Sequence, residues 1–226
     1  MTDYNVIKDY YDATFAQFGD TPEGLAWQNA EGMEKRFNIM ADVMRERPSD
    51  TDDDSIVPYV GWKLLDLGCG TGKFWPHLIS PKHKQINWRC RYTGMDINPE
   101  FIKFCKEEYP NIKDKFIAQD ILKNPLTPES YDYIVMNGIL TVKDKLSFDE
   151  MWGFSRDIIK AAYDGAARGI AFNVMSKQVD WERDDLFHLP LDTLADFLTK
   201  EVSRHFVIRN DYNMYEYTVY VYKKPT

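Results

Sequence analysis

The sequence is poor in cysteine and contains no long apolar run. Cys69, Cys90 and Cys105 are odd in number and lack the C-x-x-C spacing of a metal site. A chain of 226 residues buries about 70% of the surface that it exposes when unfolded, so it needs no disulfides. It also lacks a secretory signal pattern and any apolar stretch of membrane-spanning length. We therefore expect a cytoplasmic protein with no membrane partner.

Positive charge is scarce as well. The sequence has 28 Lys and Arg residues against 36 Asp and Glu residues, a net charge of -8. Nucleic-acid-binding proteins need clustered Lys and Arg, so the composition argues against a nucleic-acid partner and favours a small-molecule one. The acidic run from Pro48 to Pro58 lacks the glycine turn and final glutamate of a calcium loop. We interpret it as a linker that separates an N-terminal segment, 1–58, from the main domain, 59–226.

Short apolar runs alternate with helical patterns in the main domain. Strands are predicted at 63–68, 91–97, 115–120, 131–137 and 169–175, with helices at 99–109 and 149–165. Such alternation is typical of a doubly wound α/β fold with a mostly parallel sheet. Two β-rich runs near the C-terminus, separated by "RNDYN", indicate a hairpin and therefore an antiparallel last strand.

Aromatic residues are abundant, at 15% of the chain. Many of them crowd the N-terminal segment, where amphipathic helices are predicted over 3–19 and 30–47. We expect residues 1–47 to form a helical lid over a ligand crevice in the main domain, with the loop from Val179 to Pro190 as the opposing wall.

A glycine-rich segment, "LLDLGCGTGKF", follows the first predicted strand. The dinucleotide pattern G-x-G-x-x-G fails because Lys73 stands where its third glycine should be. The P-loop pattern fails because its first glycine is replaced by Leu67. The pattern D-x-G-x-G-x-G fits fully. Its aspartate would repel a pyrophosphate and attract an ammonium group, and its glycines would let a ligand lie against the backbone.

This pattern, with the acidic strand ends "YTGMDINPEF" and "FIAQDIL", resembles the class I S-adenosylmethionine-dependent methyltransferases from about residue 60 to the end. The resemblance implies a Rossmann-like, seven-stranded, mostly parallel sheet with an antiparallel C-terminal strand. It also implies S-adenosyl-L-methionine as the cofactor. The glycine loop would hold the amino-acid end of that cofactor.

The resemblance implies a complete cofactor site at the strand ends. Asp96 would accept hydrogen bonds from the ribose hydroxyls. It is free to do so because Asn98 can cap the following helix. Asp120 and the next backbone N–H would meet the adenine, and Asn137 and Gly138 would flank the transferred methyl group. The implied cofactor contacts are Asp66, Gly68, Cys69, Gly70, Gly72, Asp96, Ile97, Asp120, Ile121, Asn137, Gly138 and Arg36.

The N-terminal segment "DYYDATFAQFGDTPEGLAWQNAEGMEKRF", with "NGILTVK" and "NDYNMYEYTV", is similar to a bacterial subgroup associated with surface-polysaccharide biosynthesis. That similarity implies a sugar, sugar nucleotide or glycan terminus as methyl acceptor. The subgroup has a glutamine where this chain has Met33, three residues before Arg36. Two readings of Arg36 therefore stay open: a salt bridge to the cofactor carboxylate, or an arginine on a helix surface.

A hydroxyl acceptor needs a base to take its proton. Of the four histidines, His77 and His83 are expected at the surface and His205 in a structural role. His188 follows the fifth predicted strand, on the loop at the ligand edge of the sheet, and is the candidate catalytic base. Three acidic residues share that loop and could act instead: Asp180, Asp184 and Asp185. Asn173, at the end of that strand, could orient an acceptor or bond the loop backbone.

Three functions remain open at this point. The favoured one is methyl transfer to oxygen or nitrogen of a small polar acceptor. A small carboxylic acid would instead favour cationic groups, with Lys143, Arg168 and Lys177 as candidates. The third is a cofactor-binding module without catalysis.

Overall fold

The computed structural model describes residues 3–27, 29–44, 61–80 and 90–225. Within them lies one sheet whose strands follow the order β3-β2-β1-β4-β5-β8-β7, with β6 paired to β5 beside this path. The strands are β1 (Trp62–Leu67), β2 (Cys90–Asp96), β3 (Phe116–Ala118), β4 (Tyr131–Leu140), β5 (Ala166–Ser176), β6 (His188–Leu189), β7 (Phe206–Arg209) and β8 (Glu216–Tyr222).

Strand directions match the sequence-based expectation. β1 pairs in parallel with β2 and β4, β2 with β3, and β4 with β5. β8 is antiparallel to both of its neighbours, β5 and β7. The doubly wound, mostly parallel sheet with an antiparallel C-terminal strand is confirmed. The two-residue β6 was not predicted.

Helices cover both faces of the sheet. They are α1 (Asn5–Phe18), α2 (Ala30–Ala41), α3 (Phe74–Ile79), α4 (Pro99–Glu108), α5 (Phe148–Gly165) and α6 (Leu191–Phe197). Buried residues of α1, α5 and α6 share one core cluster, and those of α2, α3 and α4 share the other. None of the helices in the described ranges is long and apolar enough to cross a membrane.

Local sequence sets the helix starts. Asn98 caps α4 by accepting a hydrogen bond from the Glu100 N–H, and Pro99 stands in the first turn, where no donor is needed. Ser147 and Glu150 form a capping box at α5, each side chain bonding the backbone N–H of the other. These caps fix where each crossover leaves the sheet edge.

The predicted lid divides into two parts with different partners. α2 belongs to the core, because the Tyr220 hydroxyl donates to the Ile39 carbonyl at 2.6 Å and the Tyr222 hydroxyl donates to the Val43 carbonyl at 3.3 Å. α1 and the 3₁₀ turn at Glu23–Leu25 lie over the strand ends, where α2 contributes Phe37 alone among its described residues. The predicted lid over 1–47 is therefore reduced to 3–27. The acidic linker, Pro48–Pro58, lies outside the described residues.

A bulge interrupts β4 beside the strand ends. The pairing of β4 with β5 shifts register between Met136 and Leu140, so that residues 137–139 stand opposite Asn173. Gly138 in the bulge has a φ of 91°, in the left-handed region. The bulge turns Asn137 and Gly138 toward the edge where β1 and β2 also end.

Candidate functional site

A cavity opens at the carboxyl ends of β1, β2, β3 and β4. The fold brings ten of the sequence-predicted residues to its lining: Asp66, Gly68, Cys69, Gly70, Asp96, Ile97, Asp120, Ile121, Asn137 and Gly138. Three predicted residues, Gly72, Arg36 and His188, are not part of that lining.

The glycine loop supplies the floor of the cavity between β1 and α3. Gly68, Gly70 and Gly72 all adopt positive φ, at 73°, 53° and 75°. A Cβ on Gly72 would lie 2.9 Å from the Tyr109 ring, so this glycine faces the core. A Cβ on Gly70 would meet only Leu25, at 3.6 Å, so this glycine leaves room for a ligand.

Asp96 joins the glycine loop to the end of β2. Its Oδ2 accepts a hydrogen bond from the Gly70 N–H and its Oδ1 accepts one from the Asn98 N–H, both at 2.9 Å. Burial raises the pKa of Asp96 to about 6, although these two bonds oppose the shift. Asn98 does cap α4, as expected, and this leaves Asp96 at the cavity wall.

Asp66 is the most deeply perturbed carboxyl of the site. It is 3% exposed, and its Oδ2 accepts a hydrogen bond from the Tyr92 hydroxyl at 2.7 Å. Burial raises the pKa of Asp66 to about 7. A cationic group in the cavity would relieve that burial penalty, which fits the expected ammonium.

The raised pKa of Asp66 predicts a pH-dependent stability. An unfolded aspartate titrates near 3.8, so the stability from the protonated folded form is present below that pH and lost as the pH rises through about 7. We expect the free energy of unfolding of the ligand-free protein to fall over this interval relative to Asp66→Asn, whose amide does not titrate. Urea unfolding across a pH series measures it. Parallel curves for the two proteins would contradict the pKa assignment.

Asp120 connects the cavity to α1. It accepts hydrogen bonds from the Tyr4 hydroxyl at 2.7 Å and from the Leu122 N–H at 3.0 Å, with the Lys123 ammonium at 3.2 Å. Burial opposes ionisation, but these partners prevail and lower the pKa of Asp120. The side chain that should meet the adenine therefore also holds the start of α1.

Gly138 is held from several sides. The Gly138 N–H donates to Asn173 Oδ1 at 2.8 Å, so Asn173 bonds the backbone of the β4 bulge. The Gly138 carbonyl accepts from the Thr141 hydroxyl at 2.8 Å and from the Tyr11 hydroxyl at 3.2 Å. Trp27 packs on the glycine, because a Cβ there would lie 2.7 Å from the indole ring. These contacts fix the Gly138 backbone at the cavity.

Arg36 is buried, which excludes the helix-surface reading. It is 9% exposed and forms an ion pair with Glu216, with Nε and Nη2 each 2.9 Å from a carboxylate oxygen. It lies outside the cavity lining. Its predicted contact with the cofactor carboxylate stays a prediction.

His188 lies on β6, outside the cavity lining, and both of its ring nitrogens bond the backbone. Nδ1 lies 2.7 Å from the Ser176 carbonyl oxygen, and Nε2 accepts from the Arg183 N–H at 3.3 Å. The ring joins the loop to β5 in this structure. A methyl acceptor cannot hydrogen-bond to Nε2 while the bond from the Arg183 N–H is made. The role of His188 as a base stays a prediction.

Other side chains lie in surroundings that differ from those predicted from the sequence. His77 was expected at the surface but is 9% exposed, with Nε2 3.0 Å from the Asn38 side-chain oxygen. His83 lies outside the described residues. The three cations proposed for a carboxylic acid acceptor are all absent from the cavity lining: Lys143, Arg168 and Lys177.

The cavity is also lined by residues that the sequence patterns did not predict to be part of a site. Lys8 and Lys73 are its cations, and Lys73 forms an ion pair with Asp20. Aromatic and apolar side chains complete the wall. Only the excess of aromatics in the N-terminal segment signalled this lining beforehand. The unassigned members are Tyr4, Lys8, Tyr11, Leu25, Trp27, Phe37, Leu67, Lys73, Phe74, Asn98, Phe101, Gln119, Leu122, Ile139, Phe154 and Ile158.

Comparison with known proteins adds the chemistry of such a cavity. A family model described as "Methyltransferase domain" matches residues 60–176, just over half of the chain. The chain belongs to this methyltransferase family. The family uses S-adenosylmethionine as its cofactor. A Mycobacterium tuberculosis (strain ATCC 25618 / H37Rv) protein whose name describes a methyltransferase, Rv1506c, is 29% identical over 168 residues, which cover 72% of this chain and 93% of that protein.

Solved methyltransferase structures share the fold. The magnesium protoporphyrin IX methyltransferase of Synechocystis PCC 6803, with bound S-adenosylhomocysteine, gives a TM-score of 0.63 at 13% identity, covering 98% of this chain and 100% of that one. The Burkholderia thailandensis 1,6-didemethyltoxoflavin-N1-methyltransferase gives 0.60 at 13% identity, covering 99% and 89%. The comparisons do not support the narrower surface-polysaccharide subgroup.

The cavity of this methyltransferase fits its cofactor by the chemistry of its walls. Three carboxylates, Asp66, Asp96 and Asp120, can accept from ammonium, hydroxyl and amine groups. Asn137 Oδ1 is buried and has no hydrogen-bond partner among the described residues. Gly70 leaves space at the loop, so the residues present are compatible with the cofactor.

Proposed function

We propose that the protein transfers a methyl group from S-adenosylmethionine to an oxygen or nitrogen atom of a small polar molecule, of which a sugar, sugar nucleotide or glycan terminus is the first candidate. One observation carries the proposal. A loop whose glycines have positive φ lines a single cavity together with three carboxylates from successive strand ends, and α1 covers this cavity. This donor set suits a cofactor with an amino acid, a ribose and an adenine.

Each carboxylate has a distinct proposed role. Asp66, beside the glycine loop, receives the ammonium of the amino-acid end. Asp96 receives the ribose hydroxyls, with its backbone neighbour Ile97. Asp120 and the Ile121 N–H receive the adenine edge, and Asn137 and Gly138 border the methyl group.

The protein contributes alignment and exclusion of water. When bound, S-adenosylmethionine supplies an electrophilic methyl group, so an attacking atom held in line needs little further activation. Tyr11 and Trp27 close the Gly138 side of the cavity and keep water from the reacting atoms. The described lining contains no histidine.

The flat aromatic faces on that side support a ring-shaped acceptor. Tyr11 and Trp27 both line the cavity next to Gly138. Aromatic rings provide large apolar surfaces, and Tyr and Trp combine them with a polar group. A sugar ring, with apolar C–H faces and polar hydroxyl edges, suits both properties.

Two measurements test the proposed function. Calorimetry with S-adenosylhomocysteine should show one binding site per chain. Release of S-adenosylhomocysteine from S-adenosylmethionine should then be assayed with nucleotide sugars, monosaccharides, small carboxylic acids and planar heteroaromatic amines. Turnover with a sugar supports the full proposal, and turnover only with another class replaces the acceptor. Binding without turnover by any acceptor would indicate a non-catalytic module.

We further propose that residues 3–27 act as a lid, with the loop from Val179 to Pro190 as the opposing wall of the acceptor site. The lid touches the cofactor site through the Tyr4–Asp120 and Tyr11–Gly138 hydrogen bonds. Ligand binding should therefore raise protection from hydrogen exchange in both segments together, as measured by mass spectrometry with and without S-adenosylhomocysteine. Unchanged exchange in residues 3–27 would count against the lid.

A further inference from the structure

A buried ion pair lies behind one wall of the cavity. Arg36 and Glu216 are 9% and 1% exposed, and the Arg36 Nε and Nη2 face the carboxylate of Glu216. Glu216 also accepts from the Tyr212 hydroxyl at 3.4 Å. Two buried charges of this kind are costly to desolvate unless each is well bonded, and here the paired geometry supplies those bonds.

The pair supports an aromatic side chain of the cavity. The Arg36 guanidinium carbon lies 4.7 Å from the centre of the Trp27 ring, in a cation–π contact. Trp27 lines the cavity, and its ring packs against Gly138. Contacts therefore run without interruption from Glu216 through Arg36 and Trp27 to Gly138.

The chain of contacts decides between two ways in which Arg36 can act. Glu216 occupies the Nε and Nη2 edge of the guanidinium, one of the two edges that can form a paired contact with a carboxylate, and Arg36 is not part of the cavity lining. The guanidinium carbon of Arg36 lies over the Trp27 ring. Arg36 reaches the cavity through the indole ring.

We propose that Arg36 and Glu216 are positioning residues that hold Trp27 against Gly138, and that Arg36 does not bind the carboxylate of the cofactor. The inference rests on the proposed function, because it assigns the support of one wall of that same site. Trp27 then fixes the space next to the sulfur atom of the cofactor. All ligands with a 5′-thioadenosine group carry this sulfur.

A pair of ligands separates the two roles of Arg36. S-adenosylhomocysteine carries the amino-acid carboxylate, whereas 5′-methylthioadenosine lacks it and keeps the thioether and the adenosine. The test variant is Arg36→Met with Glu216→Gln in one protein, since removing one partner alone would leave a buried charge. Calorimetry should show that both ligands lose affinity by the same factor, about 3- to 10-fold.

The position of Trp27 supplies a readout that does not depend on affinity. In full-length protein labelled with 5-fluorotryptophan, the Trp27 resonance is assigned by comparison with Trp27→Phe. The double variant should shift this resonance and make it more sensitive to solvent. Arg36→Lys keeps a cation for Glu216 but loses the guanidinium over the Trp27 ring, so it should show the same shift and serves if the double variant does not fold.

The outcomes are distinct. A loss confined to S-adenosylhomocysteine, with 5′-methylthioadenosine binding intact, would overturn the inference in favour of a direct carboxylate contact. An unmoved Trp27 resonance would overturn it as well. Failure of the unmodified protein to bind either ligand would instead refute the proposed function, while the Trp27 resonance would still report on its support.

Discussion

Gly70→Val should abolish cofactor binding and leave a folded protein. Gly70 has a φ of 53°, which a β-branched residue adopts only with strain, and its side-chain direction is open to the cavity. Strain and lost cavity space together cost about 3 kcal/mol or more, so the affinity for S-adenosylhomocysteine should fall at least about 100-fold. Calorimetry measures the affinity, and circular dichroism checks the fold.

Glu129→Val is the control for Gly70→Val. Glu129 is exposed, lies outside the cavity lining and has a φ of 54°, close to that of Gly70. This variant places a β-branched residue at a similar φ away from the cavity, and binding should persist. Normal binding by Gly70→Val would place the ligand elsewhere and remove the basis of the site assignment.

Asp96→Ala should have the second largest effect. Asp96 fixes the glycine loop through the Gly70 N–H and presents its carboxylate to the cavity, so its loss removes a ligand contact and loosens the loop together. Loss of charge-assisted hydrogen bonds of this type costs about 1.5–3 kcal/mol, which is an affinity loss of about 10- to 150-fold. Calorimetry with S-adenosylhomocysteine measures the loss.

The control for Asp96→Ala is an acidic residue away from the site. Asp157 is exposed on α5, so Asp157→Ala changes the net charge equally without touching the cavity. Its affinity should equal that of the unmodified protein. If Asp96→Ala also bound normally, the ribose could not lie at the end of β2.

Local patterns were sufficient to predict the sheet and most of the cavity floor. Alternating apolar runs indicated the five parallel strands, and the glycine pattern marked the loop after β1. The step from strand end to ligand edge is geometric, because parallel strands bring their carboxyl ends to one edge. The resemblance to the S-adenosylmethionine-dependent methyltransferases assigned Asp96 and Asp120 to the cofactor, and the structure brings both to the cavity with Asp66.

Long-range partners could not be predicted in this way. His77 is buried because Asn38, 39 residues earlier, bonds its ring. Arg36 is buried because Glu216 lies opposite it, 180 residues later. Neither partner leaves a periodic or spaced signal, since each side chain is a single polar residue in an otherwise ordinary helix or strand.

The loop after β5 shows a second limit of prediction from the sequence. The order of the elements shows that His188 follows β5, a strand that ends at the ligand edge of the sheet. The order of the elements does not determine where the His188 ring points. The backbone groups of Ser176 and Arg183 take both ring nitrogens. Hydrogen bonds to the backbone depend on the path of the loop, which the sequence pattern does not specify.

The pairing of α2 with β8 has a consequence for synthesis on the ribosome. Arg36 meets Glu216, and the Ile39 carbonyl meets the Tyr220 hydroxyl, across 180 and 181 residues. At about 5–20 residues per second, translation leaves α2 without these partners for about 9 to 36 seconds. During that interval the apolar face of α2 is available to chaperones. The wall of the site can form only after nearly the whole chain has emerged.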